Sequence, residues 1–169
     1  MADGKISIGL INPKSPSNVG AVMRAAGCFQ ADDVYYTGQR YERAAPFHLD
    51  TQNACQHIML TGVDDLLSVV PQGADIVCVE LVEGAIPLPL FQHPEHAFYL
   101  FGSEDGTVSQ QIVDQADSVV YIPTIGCLNL SQTVNIVLYD RTAKLSEITA
   151  SEALIKQSRD ANNRAKVKV

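Results

Sequence analysis

Short apolar runs alternate with amphipathic stretches along most of this chain. Residues 5–11 read as a buried strand, and the proline-punctuated Asn12-Pro13-Lys14-Ser15-Pro16-Ser17 reads as a loop. Val19, Met23 and Ala26 then recur at i, i+4 and i+7, which predicts a helix over 18–29 with Ser17 or Asn18 as its N-cap. A short strand follows at 34–36. Residues 38–48 are polar and read as loop, with 49–54 compatible with a helix, and a further strand is expected at 58–60. A short helix at 64–69 is stopped by Pro71 and Gly73, a buried strand occupies 75–81, and 84–94 with its three prolines reads as loop. Strand 97–101, helix 109–115, strand 118–122 and a final helix over 129–145, with a continuation through 153–156, complete the pattern. Strands of this length separated by helices predict an α/β fold: a mainly parallel sheet with helices on both faces.

At 169 residues the chain suits one full core, assigned to 1–155, plus a basic tail at 156–169. The tail carries +4 and the remainder −11. An acidic body argues against affinity based on blanketing phosphates; the tail reads either as a phosphate-seeking arm or as a solvated terminus. No apolar run is long enough for a membrane span, and the N-terminus lacks the pattern of a cleavable signal, so a cytoplasmic location without membrane association is expected. The spacing of Cys28, Cys55, Cys78 and Cys127 matches no zinc pattern, and the first three read as buried small hydrophobes. His48 and His57 are scattered, and His93 and His96 flank a Pro-Glu pair without further ligands, so no metal is expected.

Parallel sheets bind ligands beyond the carboxyl ends of their strands. Three such exits carry unusual residues: Asn18-Val19-Gly20-Ala21-Val22-Met23-Arg24 in the passage after the first strand, Phe101-Gly102-Ser103-Glu104-Asp105-Gly106, and Ile122-Pro123-Thr124 with Cys127-Leu128-Asn129-Leu130-Ser131. The last opens an apolar helix, whose mouth offers unpaired N–H groups and partial positive charge. The Glu80–Gly84 passage is a fourth candidate for the same rim.

In order and spacing these segments resemble the three signatures of the SPOUT superfamily, in particular the SpoU/TrmH-type RNA ribose 2′-O-methyltransferases, over about residues 5–145. The resemblance implies a C-terminal trefoil knot, a homodimer in which the first and last helices pack near the active site, and S-adenosylmethionine as cofactor. It implies an RNA substrate, transfer RNA by analogy. By the same resemblance Glu80, Leu81, Gly102, Ile122, Cys127, Leu128 and Leu130 would hold the cofactor, while Arg24, Asn18, Glu104 and Asn129 would serve catalysis. Cys127 stands where the family often has serine, and Gly106 falls early, which shortens the second loop.

The residue types fit this chemistry on their own terms. Methyl transfer to a hydroxyl is mainly a task of proximity and orientation. Gly102 permits close backbone approach, and the Arg24 guanidinium can fork onto a phosphate but hardly ever gives up its proton. Plainer roles stay open: Asn18 or Asn129 as helix caps, Arg24 and Glu104 as solvated surface residues, Gly102 as a tight strand exit. Other readings of the whole chain are a knotted binding module with little catalysis, an enzyme acting on ribosomal RNA, and a doubly wound nucleotide-binding enzyme. The missing Gly-x-Gly-x-x-Gly cluster speaks against the last of these.

Overall fold

A computed structural model describes residues 4–45, 58–146, 148 and 150–168. Seven strands, β1 (Ile6–Leu10), β2 (Asp33–Tyr36), β3 (Leu60–Gly62), β4 (Asp75–Val79), β5 (Ile86–Pro87), β6 (Ala97–Phe101) and β7 (Ser118–Tyr121), form one parallel sheet ordered β3-β2-β1-β6-β4-β7-β5. The helices are α1 (Pro16–Cys28), α2 (Arg40–Ala44), α3 (Gln110–Gln115), α4 (Leu130–Leu145) and α5 (Glu152–Ser158). Among the described residues no helix is long and apolar enough to cross a membrane.

The central strand explains the layering. All five residues of β6 are buried, as an inner parallel strand covered on both faces requires. Its side chains alternate between two cores. Tyr99 and Phe101 join Ile8, Leu10, Val34 and Val120 beneath Val19, Val22, Ala25 and Ala26 of α1 and Leu130, Val134, Val137 and Leu138 of α4. Phe98 and Leu100 face the other way, against Leu66, Leu67, Ile76 and Ile112 of α3. Each Val, Leu, Ile or Phe side chain withdrawn from water contributes about 1.5–3 kcal/mol.

Apolar periodicity located the long elements and missed the local ones. The first helix starts earlier than expected, because Ser15 rather than Ser17 or Asn18 is its N-cap: the Ser15 Oγ accepts the Asn18 N–H, and Pro16 sits in the first turn, where its missing N–H costs nothing. β5 lies within the expected loop; its Pro87 is tolerated because the strand is at the sheet edge. α2 buries no side chain, so it left no apolar signal. The 58–60 strand is shifted to Leu60–Gly62, and the helix expected over 64–69 is only a 3-10 turn at Leu67–Val69. α5 is a separate helix and crosses the boundary drawn at 155. Cys78 is buried, whereas Cys28, at the open end of α1, is exposed rather than packed. Cys55, His48, His57 and the 49–54 segment lie outside the described residues.

At the amino ends of the strands a polar network fixes α4 against β6. His93, buried on both ring edges, has Nδ1 2.6 Å from the Tyr99 hydroxyl and Nε2 2.8 Å from Asp140 Oδ2. Buried Arg141 donates to the Tyr99 oxygen (3.3 Å) and to the carbonyls of Pro94 and Glu95. The Asp140 carboxylate only accepts, so the neutral His93 carries its proton on Nε2, and its Nδ1 accepts the Tyr99 O–H while the Tyr99 oxygen accepts from Arg141. Burial lowers the His93 pKa, outweighing the hydrogen bond to Asp140. Lys144 closes the network at 2.6 Å from Asp140. Lys5 N–H donates to His96 Nδ1, so the two histidines serve different contacts.

Tyr99→Phe strips His93 of its donor inside the core. It should cost about 1–3 kcal/mol of unfolding free energy in urea titrations. An unchanged midpoint would show that the network is not satisfied as described.

Candidate active site

Parallel pairing sets the geometry of the site. β1, β6, β4 and β7 are consecutive neighbours, so the chain leaves all four on the same edge, one strand spacing apart. Those exits are the loop leading to Asn18, the Gly102–Gly106 turn, Glu80-Leu81 and the Ile122–Leu128 loop. They surround a cleft with about 720 Å³ of free space, part of it open to solvent.

Three exits are tied together by side chains. Glu104, after β6, accepts the backbone N–H groups of Lys14 (2.9 Å) and Ser15 (3.1 Å) and the Asn18 side-chain Nδ2 (2.9 Å). The Asn18 Oδ1 in turn accepts Asn129 Nδ2 at 3.0 Å. Asn129 is the N-cap of α4, and its Oδ1 accepts the Ser131 N–H (2.9 Å) and Oγ–H (2.7 Å). The relay has one direction: Asn129 donates to Asn18, which donates to Glu104. Both amides are therefore oriented by their partners. The alternatives left open by the sequence are resolved in part: Asn129 is a cap and also a link, while Asn18 is a link and not a cap.

Glu80 makes a second clamp. Its Oε2 accepts the Val108 N–H at 3.0 Å and its Oε1 the Leu81 N–H at 2.8 Å, stapling the end of β4 to the loop after β6. This staple explains Gly102. A Cβ there would lie 3.1 Å from Glu80 Oε2 and 3.2 Å from Val108 Cγ2, tighter than ordinary contact. A larger residue at 102 would thus need the Glu80 and Val108 side chains to give way by a few tenths of an ångström, apart from any ligand. At the other lip Gly126 has φ +97°, a left-handed conformation that favours glycine, and Thr124 Oγ1 donates to its carbonyl at 3.0 Å.

Seven residues singled out in the sequence, Glu80, Leu81, Gly102, Ile122, Cys127, Leu128 and Leu130, line this cleft, as does Glu104. Asn18 and Asn129 stand beside it through the relay. Arg24 is not among the lining residues; it sits on the exposed face of α1, between one and two turns beyond Asn18. Ser103, Tyr121, Thr124 and Thr133, to which the sequence reading assigned no role, also line the cleft. Thr133 had a signal, being one turn after Asn129, whose carbonyl it caps at 3.0 Å. Asp105 was also missed: it pairs with Arg40 at 2.8 Å and Lys14 at 3.4 Å beside the relay.

The electrostatics follow from these bonds. Burial pushes the Glu104 carboxyl up, but hydrogen bonds from Asn18, from its own backbone and from Lys14 and Ser15 outweigh it and hold the pKa below the ordinary glutamate value. Arg40, with Lys14, likewise holds Asp105 low. A carboxylate with three donors is a structural anion. Its geometry makes it an anchor for the first loop and a poor proton acceptor.

The SpoU rRNA methylase family model matches residues 5–139. The chain belongs to that family. Solved structures share the fold at low identity. An rRNA methyltransferase from Sinorhizobium meliloti is 20% identical with a TM-score of 0.70, over 86% of this chain and 58% of that one. A protein solved in work on 2-OH methylation of C/U34 on tRNA is 20% identical with a TM-score of 0.67, over 86% and 93%. The SpoU methyltransferase AviRb from Streptomyces viridochromogenes, solved with AdoMet, is 18% identical with a TM-score of 0.68, over 85% and 58%. The chain thus spans less than two thirds of the first and third of these relatives. No curated protein matches it at significant sequence similarity. The three exits joined by the relay are the three segments that carry the resemblance in the sequence, and all lie within the matched residues.

Because the folded pKa of Glu104 is depressed, its contribution is complete above the unfolded glutamate pKa of about 4.3 and is lost as pH falls through the lower folded value. Carboxyl carbon NMR across an acid titration should show one glutamate, assigned by Glu104→Gln, with a midpoint below the usual range. A midpoint at or above that range would contradict the anchoring role.

Proposed function

We propose that this chain is an S-adenosylmethionine-dependent RNA methyltransferase that acts on a ribose 2′-OH, with transfer RNA as the favoured substrate, in the cytoplasm. The observation that carries the reading is the relay Asn129–Asn18–Glu104. It draws the three family signatures onto one cleft, at a sheet edge where α/β proteins bind ligands. Relatives solved with AdoMet and in work on tRNA 2-OH methylation support cofactor and substrate class.

The lining fits such a cofactor. Ile122, Leu128 and Leu130 offer apolar surface and the exits of β6 and β7 are sources of backbone polar groups, the mixed lining that small-molecule sites use. When bound, the cofactor supplies an electrophilic methyl group. The chain's own residues would then hold and orient. The Glu80 staple keeps the cleft wall closed, the relay fixes the first loop and the mouth of α4, and Cys127 stands exposed at the lip. Arg24 acts by gripping the phosphate next to the target ribose.

The position of Arg24 on the outer face of α1 favours action in a homodimer. In this reading the α1–α4 pair, where Ile136 and Tyr139 are exposed at 37% and 64%, meets a second copy, and Arg24 serves the partner's cleft. The family's trefoil knot belongs to the same proposal, closed by the passage of the chain from β7 into α4.

Mass spectrometry of RNA nucleosides from cells with and without the protein should reveal one 2′-O-methyl nucleoside that disappears on deletion. Complementation with Arg24→Ala should not restore it, while the purified variant keeps wild-type affinity for S-adenosylhomocysteine. Unaltered nucleosides, or full restoration by Arg24→Ala, would overturn the assignment. Cofactor and RNA binding without transfer would instead identify a binding module.

A further inference from the structure

The charge on this molecule is distributed against its proposed substrate. Residues 1–155 carry −11, and several of their seven basic residues are already engaged. Arg141 is buried on carbonyls and Tyr99, Lys144 is held by Asp140, and Lys14 and Arg40 are both turned onto Asp105. A polyanion approaching the cleft therefore meets a surface with little capacity for displacing counterions, the main source of affinity for nucleic acid.

The C-terminal segment has the opposite character. Lys156, Arg159, Arg164, Lys166 and Lys168 face a single acid, Asp160, and lie along a stretch that is exposed almost throughout. Within the described part of this segment, the ion pair formed is that of Lys156 with Glu152 at 3.6 Å, a surface i,i+4 pair of small worth. The segment is also built to present these charges. Ser151 caps α5 by accepting the Leu154 N–H at 3.1 Å, and Asp160 and Asn163 close turns onto the N–H groups of Asn162 (2.9 Å) and Ala165 (3.1 Å). α5 has only seven residues and buries none of them; Leu154 and Ile155 are 60% and 61% exposed. So short a helix is marginal in water by itself, which suits a segment that gains order on a partner.

We propose that residues 156–168 form a cationic arm that grips the phosphate backbone of the RNA substrate and supplies much of the affinity that the acidic body lacks. This rests on the reading of the chain as an RNA methyltransferase and extends it by naming where the RNA is held outside the cleft.

The test uses the full-length protein and a variant carrying K156Q, R159Q, R164Q, K166Q and K168Q, which leaves the helix cap and the core untouched. The probe is bulk small RNA from cells lacking the protein. Binding is followed from 50 to 200 mM salt, together with S-adenosylhomocysteine affinity and methyl transfer. The variant should bind RNA roughly tenfold or more weakly, and its slope of log K against log salt should flatten by about 3, at close to 0.7 for each phosphate no longer neutralised. KM for RNA should rise with kcat and S-adenosylhomocysteine affinity unchanged. If wild type transfers methyl groups to this RNA and the variant matches it in affinity, slope and KM, the arm is refuted and the activity stands. If the variant loses S-adenosylhomocysteine binding, the segment braces the body and the proposal fails. If the substitutions abolish binding to phosphatidylserine vesicles but leave RNA affinity intact, the arm is a membrane contact and the proposal is overturned. If wild type neither binds nor methylates the RNA, the functional reading falls and the arm falls with it.

Discussion

The side-chain amide of Asn18 faces two ways, and the site depends on both. Through Nδ2 it meets a carboxylate from the loop after β6; through Oδ1 it meets the cap of the last helix. Residues separated by 86 and 111 positions in sequence are thereby held around one amide. The parallel sheet brings four strand exits to the same edge, but sheet pairing says nothing about how the loops beyond it fold back. The relay supplies that information. Because an amide has distinct donor and acceptor ends, it also fixes which neighbour stands on which side.

Much of this was legible in the sequence, for identifiable reasons. β6 announced itself through its apolar run and α1 through its periodicity, and the rim of strand exits followed from the parallel α/β pattern. The resemblance of three short segments to one family then named the residues that line the cleft. What stayed hidden is what depends on distant partners. That Glu104 anchors a loop is invisible from Phe101-Gly102-Ser103-Glu104, since its donors come from residues 14, 15 and 18. The crowding around Gly102 was likewise hidden, because the Glu80 carboxylate beside it comes from another strand. Pro87 concealed β5, and α2 carried no apolar stripe at all.

Two polar systems divide the labour at opposite ends of the sheet. At the amino ends, His93, Tyr99, Asp140, Arg141 and Lys144 are buried or half-buried and fix the last helix against the central strand. At the carboxyl ends the relay is more exposed, so its bonds compete with water and are individually weaker. α4 connects the two, with its cap in the relay and its final turns in the buried network.

The most direct test of this account is a double-mutant cycle on Asn18→Ala and Glu104→Ala, read as unfolding free energy in urea at neutral pH. A working relay predicts that the two substitutions are not additive, with a coupling of at least about 0.5 kcal/mol, as expected for residues in one hydrogen-bonded network. Effects that add within experimental error would contradict it, and with it the claim that these side chains hold the cleft together.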